Sequence, residues 1–194
     1  MKNRHSTRNP VPVLLAVAAL ALLAGCTPDA INAPDDVTAP DTPAGVLDAL
    51  REAYESMSIE AYADLLHPDF RFIFADPRKA PYAREDDLAS TGRMFSGVDQ
   101  KNSAGGDAPA VAGIVFDKLE ILEGWERVSG DEVDWSDEPH VMRALIDYGF
   151  TLNLKSGGRL RAAGHQVVYA CAVEAGIRFS TRYWRWQLLG QRDP

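Results

Sequence analysis

The chain has 194 residues, 46% of them hydrophobic and 25% charged, which is enough for one domain with a real core. Its 28 acidic residues outnumber its 20 basic ones, for a formal net charge of −8. A surface this acidic repels nucleic acid and anionic lipid and argues against a direct electrostatic grip on either.

Lys2, Arg4 and Arg8 precede an apolar run from Val11 to Gly25, too short to span a bilayer and built like the apolar region of a signal peptide. The run ends in Leu23-Ala24-Gly25-Cys26, a tetrapeptide that resembles the bacterial lipobox. An ordinary signal peptide or an N-terminal anchor with an incidental cysteine is the plainer alternative. The resemblance implies loss of residues 1–25 and attachment of palmitate-type acyl chains to Cys26, each buried methylene adding about 0.8 kcal/mol of membrane affinity. It also implies an outer-membrane rather than inner-membrane address, because Thr27, not an aspartate, follows Cys26. Removal of the leader leaves 17 basic and 28 acidic residues, or −11. From Thr27 to Pro43 the sequence TPDAINAPDDVTAPDTP has almost nothing to bury, so residues 26–43 read as a lipidated cysteine and a disordered tether. Its reach is on the order of 20–50 Å, and the domain occupies residues 44–194.

Val46, Leu47, Leu50, Ala53, Tyr54 and Met57 fall on one stripe of a helix, with Thr42 as its cap and Pro43 at its first turn. A second helix starts at Ser58, presents Ile59, Tyr62, Leu65 and Leu66, and stops at Pro68. Phe70, Phe72 and Phe74 then alternate with Arg71 and Ile73 as a strand does. Ala53, Tyr54, Tyr62, Leu65, Leu66, Asp69, Phe70 and Phe72 resemble the opening of NTF2-like (SnoaL-like, cystatin-like) domains. The closing TRYWRWQLL is similar to their last strand at Arg182, Arg185, Trp186 and Leu189, while Thr181, Gln187 and Leu188 depart from it. The resemblance implies an α+β cone, two to three N-terminal helices packed on a strongly curved, mainly antiparallel sheet. These are packing motifs, so they imply a fold and no activity.

A third helix spans Arg84 to Phe95, with Leu88, Met94 and Phe95 as its apolar contacts, and Gly97 to Gly113 reads as a loop. Ile114 to Arg127 is a long strand with Leu119, Ile121, Glu123 and Trp125 on one side. The acidic segment from Ser129 to Pro139 could hold Ca²⁺ through Asp131, Asp134, Asp137 and Glu138. It lacks EF-hand spacing and reads as a solvated loop. No metal site and no cofactor motif is visible, and His67, His140 and His165 lie far apart once His5 leaves with the leader. Cys171, alone in VVYACAV, reads as a small core residue.

The last three strands, His140–Leu154, Arg159–Val173 and Ile177–Leu188, are joined by turns at Lys155-Ser156-Gly157-Gly158 and Glu174-Ala175-Gly176. With two-residue loops, Tyr148 shares a face with Ala163, His165, Val167, Tyr169 and Cys171, and then with Ser180, Arg182, Trp184 and Trp186. In the NTF2-like cone the inner face borders a cavity that houses the acids and bases of the superfamily's enzymes. Tyr148, His165, Tyr169 and Arg182 are therefore the catalytic candidates, with Asp76 and His67 as weaker ones that fit turn capping better. Two functions of different class follow. One is a non-catalytic envelope lipoprotein binding a small apolar ligand or a protein partner; the other is a SnoaL or ketosteroid isomerase type lyase, isomerase or hydrolase using His165 with Tyr148 or Tyr169. The outer face, carrying Leu145, Val168 and Tyr183, would pair two copies in a homodimer.

Overall fold

The computed structural model describes residues 40–101, 106–128, 135, 140–178 and 181–194. Cys26, the tether up to residue 39, Ser180 and the acidic quartet Asp131, Asp134, Asp137 and Glu138 lie outside them. Helix α1 (Pro43–Glu55) begins with the Gly45 N–H donating to Thr42 Oγ1 at 3.1 Å. It ends on Met57, which takes a left-handed conformation (φ 52°). There the Met57 N–H donates to the Tyr54 carbonyl and the Ser58 N–H to that of Ala53, each at 3.0 Å, closing the helix in a Schellman motif. Ser58 Oγ then caps α2 (Ile59–Leu65) by accepting the Ala61 N–H.

Helix α2 ends at Leu65, because Pro68 has no N–H to give the Asp64 carbonyl, and side chains from elsewhere take the last carbonyls. Arg84 Nη2 donates to the Ala63 carbonyl at 2.8 Å and Gln187 Nε2 to that of Asp64 at 3.2 Å. Pro68 itself lies inside β1 (Leu66–Ile73), where the register against its parallel partner slips between Leu66 and Arg71. A residue without an N–H is tolerated at such an irregularity. Phe70 enters the core, whereas Phe74 falls one residue past the strand and packs on Phe72 and Tyr82.

After β2 (Tyr82–Ala83), α3 runs over Arg84–Phe95 as expected, with three acidic residues in its first turn and Asp86 accepting the Ala83 N–H. The segment read as a loop is more ordered than its composition suggests. It contains the short antiparallel pair β3 (Gln100–Lys101) and β4 (Asp107–Ala108), and β5 (Val111–Arg127) already starts within it. Strands β6 (Val141–Leu154), β7 (Arg159–Arg178) and β8 (Thr181–Arg192) complete a six-stranded sheet of order β2-β1-β8-β7-β6-β5, antiparallel except for β1 beside β8. Register shifts in β5 break the single face expected for it. Leu119 and Trp125 reach the core, while Ile121 is left exposed.

The two hairpins differ from the expected ones, with consequences for every side chain on β7. Leu154 N–H donates to the Gly158 carbonyl around three residues, Lys155-Ser156-Gly157, with Gly157 at φ 89°. Three-residue loops of this kind close through a left-handed glycine. The register becomes Tyr148 opposite Gly164 and Asp147 opposite His165, so even positions of β6 share a face with even positions of β7. At the other hairpin β7 runs through Glu174-Ala175-Gly176 to Arg178, which pairs with Thr181. Gly176 (φ 140°) is a bulge rather than a turn.

The inner face of the curved sheet and the three helices enclose the main core, centred on Val46, Tyr62, Leu66, Phe70, Ile146, Val168 and Leu188. Val168, expected outside, is fully buried here. A second core forms on the outer face, where Trp135, Val141, Tyr169, Cys171 and Leu189 pack together. Both lie within Asp36–Pro194, one compact unit. No helix among the described residues is long and apolar enough to cross a membrane.

Candidate functional site

Between α1 and the inner face of β5, β6, β7 and β8 lies a cavity of about 190 Å³. Leu50 and Tyr54 of α1 form one wall; Phe72, Phe116, Leu119, Ile146 and Phe150 form the others. Its polar lining consists of Tyr148, Gln166 and Gln191. Gln166 and Gln191 are only 7% and 8% exposed, yet neither carboxamide makes a hydrogen bond to protein among the described residues. Neither amide is sealed from solvent, unlike Arg51 Nε, Trp125 Nε1 and Trp135 Nε1, so both are open to hydrogen bonding by water or by a ligand in the cavity. Tyr148 faces them, its hydroxyl lying over Gly164, where a Cβ would approach it to 3.3 Å. Burial, and the nearby carboxylate of Asp193, push its phenol above the ordinary value, so it stays a neutral donor.

Behind the cavity wall sits a buried polar network. The Tyr62 hydroxyl donates to Asp87 Oδ2 at 2.6 Å, and the Tyr54 hydroxyl is hydrogen-bonded to Tyr62 and Thr91. Burial pushes the Tyr54 phenol up to about 12, Tyr62 well above its ordinary value, and Asp87 above the usual carboxylate range. Tyr54 therefore gives the cavity its ring, packed edge-on against Phe95 and Phe116, and turns its hydroxyl into the helices.

No protein-family model matches the sequence, and no curated protein does. Solved structures match in shape. A conserved protein from Planctomyces limnophilus is 16% identical with a TM-score of 0.53, the match covering 77% of this chain and 90% of that one. A ketosteroid isomerase-like protein from Erwinia carotovora atroseptica (13%, TM-score 0.48, 77% and 89% covered) also aligns. So does an NTF2-like protein of unknown function in nutrient uptake from Rhodospirillum rubrum (10%, TM-score 0.47, 78% and 96% covered). The fold is the α+β cone expected from the sequence, three helices on a curved sheet that is antiparallel except at β1 beside β8. At these identities the likeness concerns fold alone.

Within that cone the four sequence candidates do not converge. Tyr148 lines the cavity. His165 is on the outer face, its side chain 55% exposed and its Nε2 3.7 Å from Asp147 Oδ2. That carboxylate is ion-paired with Lys118, whose hydrogen bond holds it below the usual range. Tyr169 is also on the outer face, but buried beneath the Trp135 indole, ring centroids 4.3 Å apart. Arg182 lies on the β7–β8 arm beyond the start of β6, ion-paired with Glu174 at 3.4 Å. Of the weaker candidates, Asp76 accepts the Arg78 N–H and clamps its guanidinium, and His67 Nδ1 accepts the Asp69 N–H at 3.1 Å. Both are local turn contacts.

Gln166 and Gln191 were not among the sequence candidates, nor was the Tyr54–Tyr62–Asp87 network. A signal existed for the first of them. Gly164, Gln166, Val168 and Ala170 make a small-and-apolar alternation with one amide in it, legible once the parity of β7 is known. Among the described residues no group of three or more His, Cys, Asp or Glu is placed to hold a metal.

Proposed function

We propose that this chain is an envelope lipoprotein, anchored through Cys26, whose cone binds a small uncharged ligand without transforming it. The observation that carries this reading is the pair of unpartnered carboxamides, Gln166 and Gln191, in an otherwise aromatic and aliphatic cavity whose lining holds no carboxylate, imidazole or cation. A primary carboxamide both donates and accepts, so it matches a ligand group with a donor and an acceptor side by side, such as an amide or lactam. About 190 Å³ admits a body near the size of one aromatic ring, since a 150 Å³ apolar cavity is known to take benzene. A cavity with no group titrating near neutral pH favours holding such a ligand over moving its protons.

Calorimetric titration of fragment 36–194 with benzamide and with toluene tests this. Benzamide binds the wild type more tightly than toluene does. Gln191→Leu lowers benzamide affinity about tenfold, the cost of one or two lost buried hydrogen bonds, and spares toluene. His165→Ala changes neither. Equal loss in His165→Ala and Gln191→Leu, or no binding of either compound, overturns the reading. The anchor is checked separately: cells given radiolabelled palmitate label the wild-type protein but not Cys26→Ser. Label retained in Cys26→Ser, or absent from the wild type, refutes lipidation at that residue.

A further inference from the structure

A larger concavity, about 350 Å³, lies away from the cone, between the end of α3, the β3–β4 pair and the β6–β7 turn. That volume falls in the ordinary range of small-molecule sites. Met94, Val111, Leu152 and Leu154 contribute its apolar lining, and Val98 and Leu160 stand at its edge, 54% and 51% exposed. Large aliphatic side chains left in water on one rim mark a surface that gains by being covered.

The charged lining is wholly cationic. Arg93 and Lys101 line the groove and no carboxylate does. Lys155 lies alongside, its Nζ 3.2 Å from where a Cβ on Gly97 would stand. Neighbouring acids are engaged: Asp107 pairs with Lys101, and Asp99 Oδ1 accepts the Ala110 N–H at 2.8 Å. The Arg93 guanidinium has no hydrogen-bond or ion-pair partner among the described residues, its only side-chain contact of that kind being the Ser96 hydroxyl on its backbone carbonyl. In a chain of net charge −8, an apolar groove whose one unpaired charged lining group among the described residues is the Arg93 guanidinium is complementary to one kind of small molecule.

We infer that this groove binds a single-chain anionic amphiphile, an alkyl tail ending in a carboxylate or a phosphate. The tail lies along Met94, Leu152 and Leu160, where each methylene removed from water favours binding. Arg93 takes the head in its guanidinium fork, a geometry that suits both oxyanions. This site is separate from the cone and stands or falls independently of the reading proposed for it.

Amide chemical-shift mapping on ¹⁵N-labelled fragment 36–194 tests the inference, with decanoate, decyl phosphate and decyltrimethylammonium titrated below micelle formation. At least one of the two anions shifts the amides of Val98, Lys101, Val111 and Leu160 saturably at one to one, and the tighter of them identifies the head. Decyltrimethylammonium binds at least tenfold more weakly. Arg93→Gln weakens the anions fivefold or more, and Val98→Asp, at an exposed position, abolishes binding while leaving the remaining spectrum folded. Shifts confined to Phe116, Tyr148 and Gln166, equal affinity for the cationic probe, unchanged affinity in Arg93→Gln, or no saturable shift with either anion overturns it.

Discussion

Gly190→Ala is expected to destabilise the domain by about 3 kcal/mol, through overpacking and loss of the packing of one indole. Gly190 sits on the outer face of β8 directly under Trp135, and a Cβ there would overlap the indole at Cζ2 and approach Cη2 to 2.7 Å and the Arg71 carbonyl to 3.0 Å. The backbone wall cannot give, so the indole must leave. Trp135 is 4% exposed, stacks on Tyr169 and lies under the Arg192 guanidinium, 5.8 Å from its centroid. Its expulsion opens the outer core that holds Cys171 and Leu189. Thermal denaturation should show a fall of roughly 6–12 °C, together with a red shift of tryptophan emission. In a Trp135→Ala background the same glycine substitution should cost less than about 1 kcal/mol, because the clash has gone. A cost that persists without the indole would locate the effect at Arg71 instead.

Local signals in this sequence were read well, and long-range ones through a single weak link. Caps at Thr42 and Ser58 and the span of α3 depend on residues within a few positions of one another, and they stand as expected. The end of α2 agrees with Pro68 as terminator, while the outside donors that take its last carbonyls, Arg84 and Gln187, are distant in sequence and invisible locally. The candidate site rested on counting residues in two turns. A third loop residue at Gly157 reverses the face of every β7 side chain, which carries His165 and Tyr169 outward and Gln166 inward. The bulge at Gly176, rather than the displaced turn, reverses parity again, so Trp186 does reach the inner face with Tyr148, although for a different reason. Two glycines in a row can make a two-residue or a three-residue turn, and nothing local to Lys155-Ser156-Gly157-Gly158 decides between them. What decides is burial: Val168 and Ala170, both fully buried, fit the inner core only in the observed register.

Tyr62→Phe is expected to cost about 1–3 kcal/mol at neutral pH, and less as the solution is acidified. The lost hydroxyl is the donor to Asp87 Oδ2, in a site where burial already holds that carboxyl above its usual range and the Tyr62 bond partly offsets the rise. An acid whose folded pKa is raised binds its proton more readily folded than unfolded. Its favourable contribution is therefore complete below the unfolded value, and it is lost as pH rises through the folded one. Removing the donor raises the folded pKa further, so the variant and the wild type should converge toward pH 4 and diverge toward pH 7. Asp87→Asn keeps an acceptor for Tyr62 and carries no charge, so it should flatten the pH dependence in either background. Urea denaturation at pH 4, 5.5 and 7 on the four combinations gives the answer. A Tyr62→Phe penalty that is the same at all three values would mean that Asp87 does not titrate in this range, leaving the hydroxyl as a packing element alone. A penalty that grows with pH beside Asp87 but is independent of pH in Asp87→Asn would show that the wall behind the cone cavity is held by one buried carboxylate and the phenol that solvates it.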